Sequence, residues 1–468
     1  MGRLARTLGR LGGRGMATFG PTAVAWEGGG VTTSPPKPTG SDGNRTAAGI
    51  GEALRPLLED LFGGPLPFRA EFWDGSGLGR HDGPGTVWVR SPDGIRRVVW
   101  AEPGLGLGRA FVAGDVDVTG DLIGILRAMQ GAVRSGLRPW AWLTPENLAA
   151  IRRAGGLGRP LPPPAEEARP RGWRHSGRRD AKVISHHYDV GNDFYRLLLG
   201  PTMTYSCARF ADETMTLEEA QAAKHELICR KLGLHERPGM RLLDVGCGWG
   251  SMAMHAAARY GAEVVGITIS GAQAELARRR VADAGLEDRV EIRLQDYRDV
   301  RGETFDAISS VGMFEHVGMV RASEYFERLR RLLVPTGRLL NHAISKPGGT
   351  RLSRRSFMYR YAFPDAELCD VGEVVLGMEA AGFEVRDVEG LREHYGRTLR
   401  TWMANLEANW DRAVAEVGLP RARAWRLYMA GAAAGFDTGQ LAVHQVLGVV
   451  PGVDGRVAMP ATRNGWTC

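Results

Sequence analysis

The chain has 468 residues, 43% hydrophobic and 24% charged, with a formal net charge of +7. That length favours two folded units over a single core, and the lack of any long uninterrupted apolar run excludes a membrane-spanning helix. The positive balance favours an anionic partner without choosing among nucleic acid, a phosphorylated ligand and an acidic membrane surface.

In chain order, residues 1–46 read as a disordered tail. Arg3, Arg6, Arg10 and Arg14 precede the first acid, Glu27, and Gly, Pro, Ser and Thr then fill the stretch to Asn44. The basic start superficially resembles a transit peptide or a short membrane arm, with an extended or misassigned start, and Met16 as another initiator, as the plainer reading. Order begins with Leu54, Leu57, Leu58 and Leu61, whose spacing predicts a helix. Strand-like stretches follow, Val87 to Val89 and Ala110 to Val118, between Gly- and Asp-rich turns, so 47–150 is expected to be a small α+β domain. Residues 151–180, rich in Pro and Arg, read as a semi-rigid linker.

Beyond it the texture changes. Apolar runs at 242–246, 264–269, 290–294, 305–311 and 338–344 alternate with helical segments around 250–260, 271–284 and 320–333. This predicts an α/β fold over 181–468, a doubly wound and mostly parallel sheet with its ligand site at the carboxyl ends of the strands.

The first of those runs leads into Asp244-Val-Gly-Cys-Gly-Trp-Gly250, where glycines let backbone N–H groups and a helix N-terminus approach a ligand closely. The spacing is neither that of a dinucleotide fold nor that of a P-loop. With an acid two residues before Gly246, and with Gly248 and Gly250 completing the loop, it fits S-adenosylmethionine better than NAD or ATP. The ends of the next two strands carry Thr268, Ser270 and Gln273, and then Gln295, Asp296 and Tyr297, where ribose and adenine contacts are expected. Cys247 reads as a small buried residue. The five cysteines (207, 229, 247, 369 and 468) form neither a C-x-x-C pair nor a metal spacing, so no metal is expected and a reducing compartment fits best. Of 60 basic residues only five are Lys (37, 182, 224, 231 and 346), so part of the charge reflects an Arg-rich coding habit.

Five motifs in order, Ser185-His-His-Tyr-Asp-Val-Gly-Asn-Asp-Phe-Tyr195, Met203-Thr-Tyr-Ser-Cys207, Leu243 to Gly250, Gly312-Met-Phe-Glu-His-Val-Gly318 and Glu393 to Trp402, resemble the motif series of cyclopropane-fatty-acyl-phospholipid synthases and the related mycolic-acid methyltransferases. The resemblance runs from about 181 to 450, and 47–150 looks like the family's N-terminal lipid-binding domain. It implies a Rossmann-like S-adenosylmethionine-dependent methyltransferase acting on unsaturated acyl chains of membrane phospholipids. It further implies a bicarbonate ion as general base, held by Cys207, Glu315, His342, Tyr395 and the backbone of Ile344, and cofactor contacts from Tyr205 and Ser206. A base is needed because methyl addition to an alkene leaves a carbocation that must lose a proton. Tyr205, Phe314 and Tyr359 are candidates to stabilise that cation through their ring faces.

Where some relatives carry a further cysteine near the C-terminal helix this chain has Ala432. The segments Asn405 to Trp410, Trp425 to Met429 and Val443 to Val446 look like an actinobacterial-type branch that includes enzymes making 10-methylene acyl chains. Loss of a methyl proton closes a cyclopropane, whereas a prior hydride shift gives an exocyclic methylene, so both products stay open. The expected setting is cytoplasmic, peripheral to the inner face of the plasma membrane, with the Arg-rich stretch 351–361 (Arg354, Arg355, Phe357, Tyr359) and the N-terminal domain touching anionic lipid. A homodimer is a further expectation. With no aromatic base-stacking motif, a nucleic-acid target is disfavoured; a lipid-binding protein with a vestigial cofactor site is disfavoured by the intact loop.

Overall fold

The computed structural model describes residues 49–134, 144–168, 191–348, 353, 355–364 and 366–463. The expected tail 1–46, residues 169–180 of the linker, residues 185–190 of the first motif and Arg354 lie outside the described residues. The described residues all belong to one compact unit.

The Leu54 stripe lies on a helix, Ile50–Phe62, ended by Gly63 in the left-handed conformation. After it come β1 (Arg69–Phe72), β2 (Gly77–Gly79), β3 (Gly85–Val89) and β4 (Val116–Gly120), which make a four-stranded sheet in the order β2-β1-β3-β4. The strand expected over Ala110 to Val118 is only half present. Ala110 to Ala113 finish a helix, Pro103–Ala113, which opens on Pro103 and stops at Gly114 with φ +84°, and the strand starts two residues later. Proline pre-sets the first helical turn and glycine relieves the left-handed stop, and together they override the β-forming Phe111 and Val112.

The second sheet holds β5 (Arg241–Val245), β6 (Glu263–Thr268), β7 (Val290–Leu294), β8 (Phe305–Val311), β9 (Leu333–Ser345), β10 (Glu384–Gly390) and β11 (Ala442–Val449), in the order β10-β11-β9-β8-β5-β6-β7. Strands β7, β6, β5, β8 and β9 run parallel, and β11 pairs antiparallel with both β9 and β10. From β5 the chain winds outward through β6 and β7, then returns to the other side of β5 through β8 and β9. The switch of direction between β5 and β8 opens a crevice at their carboxyl ends. Helices Ser251–Tyr260, Gly271–Asp283 and Ala322–Arg331 cover the faces, so the strands are apolar on both sides: Leu242, Leu243, Ile308, Leu339 and Leu340 are all fully buried. The polar exceptions Asp244, Ser309, Ser310, Asn341, His342 and Gln445 are buried too, and a buried polar group needs a partner or a purpose.

The first hundred described residues do not have a core of their own. Leu54, Phe72, Phe111 and Ile125 belong to the same apolar cluster as Phe194, Trp402, Met429 and Phe436. Arg423, on the helix Leu419–Asp437, donates from Nε to the Phe111 carbonyl at 2.6 Å and from Nη2 to that of Val116 at 2.7 Å, with Asp117 at 3.3 Å from Nη1. The described part of the linker is also tied down: Glu167 is buried and accepts two bonds from Arg109, at 2.7 and 2.8 Å, and Ala168 N donates to the Arg360 carbonyl. Among the described residues no helix is long and apolar enough to cross a membrane.

Candidate active site

The loop after β5 turns on glycines at φ +76° (Gly246), +56° (Gly248) and +81° (Gly250), values that side chains disfavour. Gly246 N and Cys247 N donate to the Ile267 carbonyl, tying the loop to β6. Cys247 is buried against Gly266, where a Cβ would lie 3.1 Å from its own, so the small residue reading holds and Gly266 makes room for it.

The loop borders a cavity at the β5/β8 switch. Of the residues expected at the cofactor, Tyr205, Ser206, Asp244, Gly246, Gly248, Thr268, Gln273, Gln295, Asp296 and Tyr297 line it. Two do not. Gly250 caps the helix behind the loop, and the Ser270 hydroxyl accepts from Gln273 N at 3.3 Å as the cap of the helix Gly271–Asp283. Thr268 Oγ1 donates to Gln273 Oε1 at 2.9 Å, which turns the Gln273 amide along the wall. Asp296 takes Nε and Nη2 of Arg298 at 2.9 and 2.6 Å; burial raises its pKa, and the bonds from Arg298 outweigh that, leaving it below the ordinary value.

At the floor, Asp244 accepts from Ser309 Oγ at 2.7 Å through Oδ1, while Oδ2 is buried without a partner. Burial lifts its pKa to about 6 against that bond and the Lys224 charge. The same cavity is lined by a residue that the sequence patterns do not single out. Lys224, on the helix Leu217–Lys231, is 1% exposed and lines the cavity, its Nζ donating to Ser206 Oγ at 2.8 Å with His225 Nε2 at 3.1 Å. Desolvation depresses its pKa to about 7.

The five residues expected to hold the base lie outside the lining of that cavity, around the ends of β8, β9 and β11. Glu315 sits in the short helix Phe314–Val317 after β8, buried, with Oε1 accepting from Ile344 N at 2.7 Å and Oε2 unpartnered. Burial raises its carboxyl to about 7, against the lowering effect of the Ile344 bond. His342, two residues before Ile344, is buried, and burial drives its pKa down to about 3 with help from Lys224, Lys231 and His444. Its Nδ1 faces Gln445 Nε2 at 3.3 Å, directly across the β9/β11 ladder, and its Nε2 is unpartnered.

Cys207 is fully buried, its Sγ toward the Ala208 and Leu391 carbonyls, and burial pushes the thiol well up. Leu391 in turn donates to Val443, the β11 partner of Ile344, and opens the helix Arg392–Ala408 that carries Tyr395. One chain of contacts therefore links Cys207, Tyr395, Ile344, His342 and Glu315. Gln445 went unread because the 443–446 segment gave no pattern that set its face.

Of the three rings proposed to face a cation, Tyr205 lines the cavity and Phe314 and Tyr359 do not. Tyr205 lies 5.2 Å from Trp402 and 5.5 Å from Tyr195, with its hydroxyl 3.2 Å from that of Tyr428. Phe314 instead stacks on Phe326 in the helix-covered core. Phe357 stacks on Tyr361 and lies over Gly108, where a Cβ would come 2.2 Å from its ring, so it is spent on packing against the N-terminal segment. Tyr359 is half-buried in the π-helical turn Met358–Ala362 beyond it.

The model of the family described as mycolic acid cyclopropane synthetase matches residues 175–446. A probable fatty acid methyltransferase of Mycobacterium tuberculosis, Rv3720, is 44% identical over 82% of this chain and 90% of its own length. The cyclopropane-fatty-acyl-phospholipid synthase of Escherichia coli K12 is 34% identical over 78% and 87%. The solved cyclopropane synthase MmaA2 of Mycobacterium tuberculosis superposes with a TM-score of 0.55 at 34% identity, covering 57% of this chain and 98% of that one. The mycolic acid cyclopropane synthase CmaA1, solved with SAH and CTAB, gives 0.54 at 36%, covering 57% and 98%.

Proposed function

The chain belongs to the mycolic acid cyclopropane synthetase family and is an S-adenosylmethionine-dependent methyltransferase, and on that premise we propose that it converts unsaturated acyl chains of membrane phospholipids into cyclopropane acyl chains. Bound S-adenosylmethionine supplies an electrophilic methyl group, and bound bicarbonate supplies the base that the new methyl's proton requires. The observation that carries the reading is the pair of unpartnered buried atoms, Glu315 Oε2 and His342 Nε2, at the ends of β8 and β9. Left without a ligand, two such atoms are costly, and a small oxyanion offers acceptors and a donor to both. To the ring of Tyr205, which packs beside Trp402 and lines the cavity, we assign stabilisation of the cationic acyl carbon. Tyr395, 8% exposed and packed at 4.7 Å on Phe436, and the fully buried Cys207 complete the set we assign to the bicarbonate.

A second reading, the exocyclic methylene product, is supported by the tuberculostearic acid methyltransferase UfaA1 of Mycobacterium tuberculosis, 34% identical over 81% of this chain. The same residues serve either outcome, since the products differ in whether a hydride moves before the proton leaves. Expression in a host rich in monounsaturated phospholipid, followed by mass and double-bond analysis of the acyl chains, tests both. A gain of one CH₂ without an alkene supports cyclopropanation, a gain with an exocyclic alkene supports the second reading, and unmodified chains sink both.

A further inference from the structure

Only three of the five lysines fall among the described residues, and two of those, Lys224 and Lys231, are almost fully buried. Lys231 is explained: its Nζ reaches Asp387 at 2.9 Å and also pairs with Glu389. Lys224 makes no ion pair among the described residues. Its acceptors are a neutral hydroxyl, Ser206 Oγ, and an imidazole, His225 Nε2. An ammonium has three N–H groups, so one remains for a group in the cavity that Lys224 lines. A buried cation left without an anion is strongly unfavourable.

Asp244 lines the same cavity, with Oδ2 buried and unpartnered; among the described residues no hydrogen bond or ion pair joins it to Lys224, though each feels the other's charge. A buried anion and a buried cation, each with a vacant bonding position on one cavity, match a zwitterion that presents an ammonium to the first and a carboxylate to the second. The methionyl end of an S-adenosyl ligand has that form. Bicarbonate is also a carboxylate-type anion, and the Lys224 charge is felt at Cys207 and His342. Lys224 and Ser206 border the glycine-loop cavity, however, and Glu315 and His342 do not.

We propose that Lys224, seated by Ser206 and His225, receives the α-carboxylate of the S-adenosyl ligand, and that with Asp244 it makes the pocket selective for the intact amino-acid end. The proposal rests on the cofactor reading of the cavity and names the group that discriminates within it. The sequence carries a supporting sign: in a chain that uses Arg almost everywhere, a fully enclosed Lys marks a place where a compact single-headed cation is required and a planar guanidinium does not fit.

Titration calorimetry on the full chain tests it with three probes: S-adenosylhomocysteine, decarboxylated S-adenosylmethionine, and 5′-methylthioadenosine, which has the nucleoside and thioether and no amino-acid end. In Lys224→Met, S-adenosylhomocysteine is expected to bind roughly thirtyfold or more weakly, with methylthioadenosine and the decarboxylated ligand within about twofold of their affinity for the unaltered protein. Retained methylthioadenosine binding also shows that the pocket is formed. Equal losses for all three probes, or none for S-adenosylhomocysteine, overturn the proposal, as does a variant altered only in its bicarbonate requirement. If the variant does not fold, the unaltered protein decides, because S-adenosylmethionine must then outbind its decarboxylated form by a similar factor, and equal affinity overturns the assignment. Failure of the unaltered protein to bind S-adenosylhomocysteine at all would instead remove the cofactor reading.

Discussion

The main-chain N–H of Ile344 donates to Glu315 Oε1 at 2.7 Å, joining the end of β9 to the short helix that follows β8. One carboxylate oxygen is thereby fixed by the fold and the other is left unpartnered. Gln preserves the acceptor toward Ile344 and replaces the second oxygen by an amide nitrogen. Glu315→Gln is expected to lower kcat by on the order of a hundredfold or more, with S-adenosylhomocysteine affinity unchanged. Near-normal turnover would remove Glu315 from the site.

The same substitution has a pH signature in stability. The Glu315 pKa rises from 4.5 to about 7 on folding because of burial. Between those values the folded protein holds more protons than the unfolded chain, so stability falls as pH rises through the window and the penalty is complete above about pH 7. In bicarbonate-free buffer Glu315→Gln is therefore expected to be the more stable protein at pH 8, by up to ~3 kcal/mol, and to converge with the parent as the pH falls below 4.5. Urea melts across that range check this; a pH-independent difference contradicts it.

Gln445 orients His342. With the amide nitrogen donating, Nδ1 is the acceptor and the ring proton rests on Nε2, the atom without a partner. Gln445→Leu frees the ring to take the other tautomer, and kcat is expected to fall roughly tenfold while the apparent bicarbonate requirement rises. A change confined to thermal stability would give Gln445 a packing role alone.

Gly248 has φ +56°, and a Cβ there meets nothing within 4 Å, so the space beside it is the cofactor cavity itself. Gly248→Val is expected to remove S-adenosylhomocysteine binding below detection in calorimetry, with a loss of stability of about 1–2 kcal/mol from the left-handed backbone. Unchanged affinity in a folded variant would dissociate the loop from the cofactor.

The phospholipid substrate proposed above would require peripheral docking on a bilayer, and the net charge of +7 favours anionic lipid. Co-sedimentation with vesicles is expected to increase with phosphatidylglycerol content and to weaken with salt. No binding at low ionic strength would sink the expectation.

The parallel strands were legible because strands covered on both faces are written as unbroken apolar runs; the run 242–246 corresponds to Arg241–Val245 and 305–311 to Phe305–Val311. The glycine loop was legible because its backbone leaves few alternatives. Lys224 was not. A lysine within a helix ordinarily marks the solvent face, and its burial arises only when that helix is laid beside Ser206, on the cavity that Asp244 also lines. Gln445 was hidden for the same reason: its importance comes from lying opposite His342 in an antiparallel pairing between segments about a hundred residues apart in the chain.

Arg423 and the apolar cluster it crosses give the molecule a particular kind of inheritance. Phe111 and Val116 offer their carbonyls to a side chain more than three hundred residues downstream, while Phe72 and Ile125 share a core with Trp402 and Phe436. Trimming the chain to its sheet of seven strands would strip that core open rather than release a smaller catalyst. Chimeras with relatives should therefore be cut so that residues 49–134 travel together with the helix Leu419–Asp437, because those two stretches, far apart in the sequence, behave as a single exchangeable part.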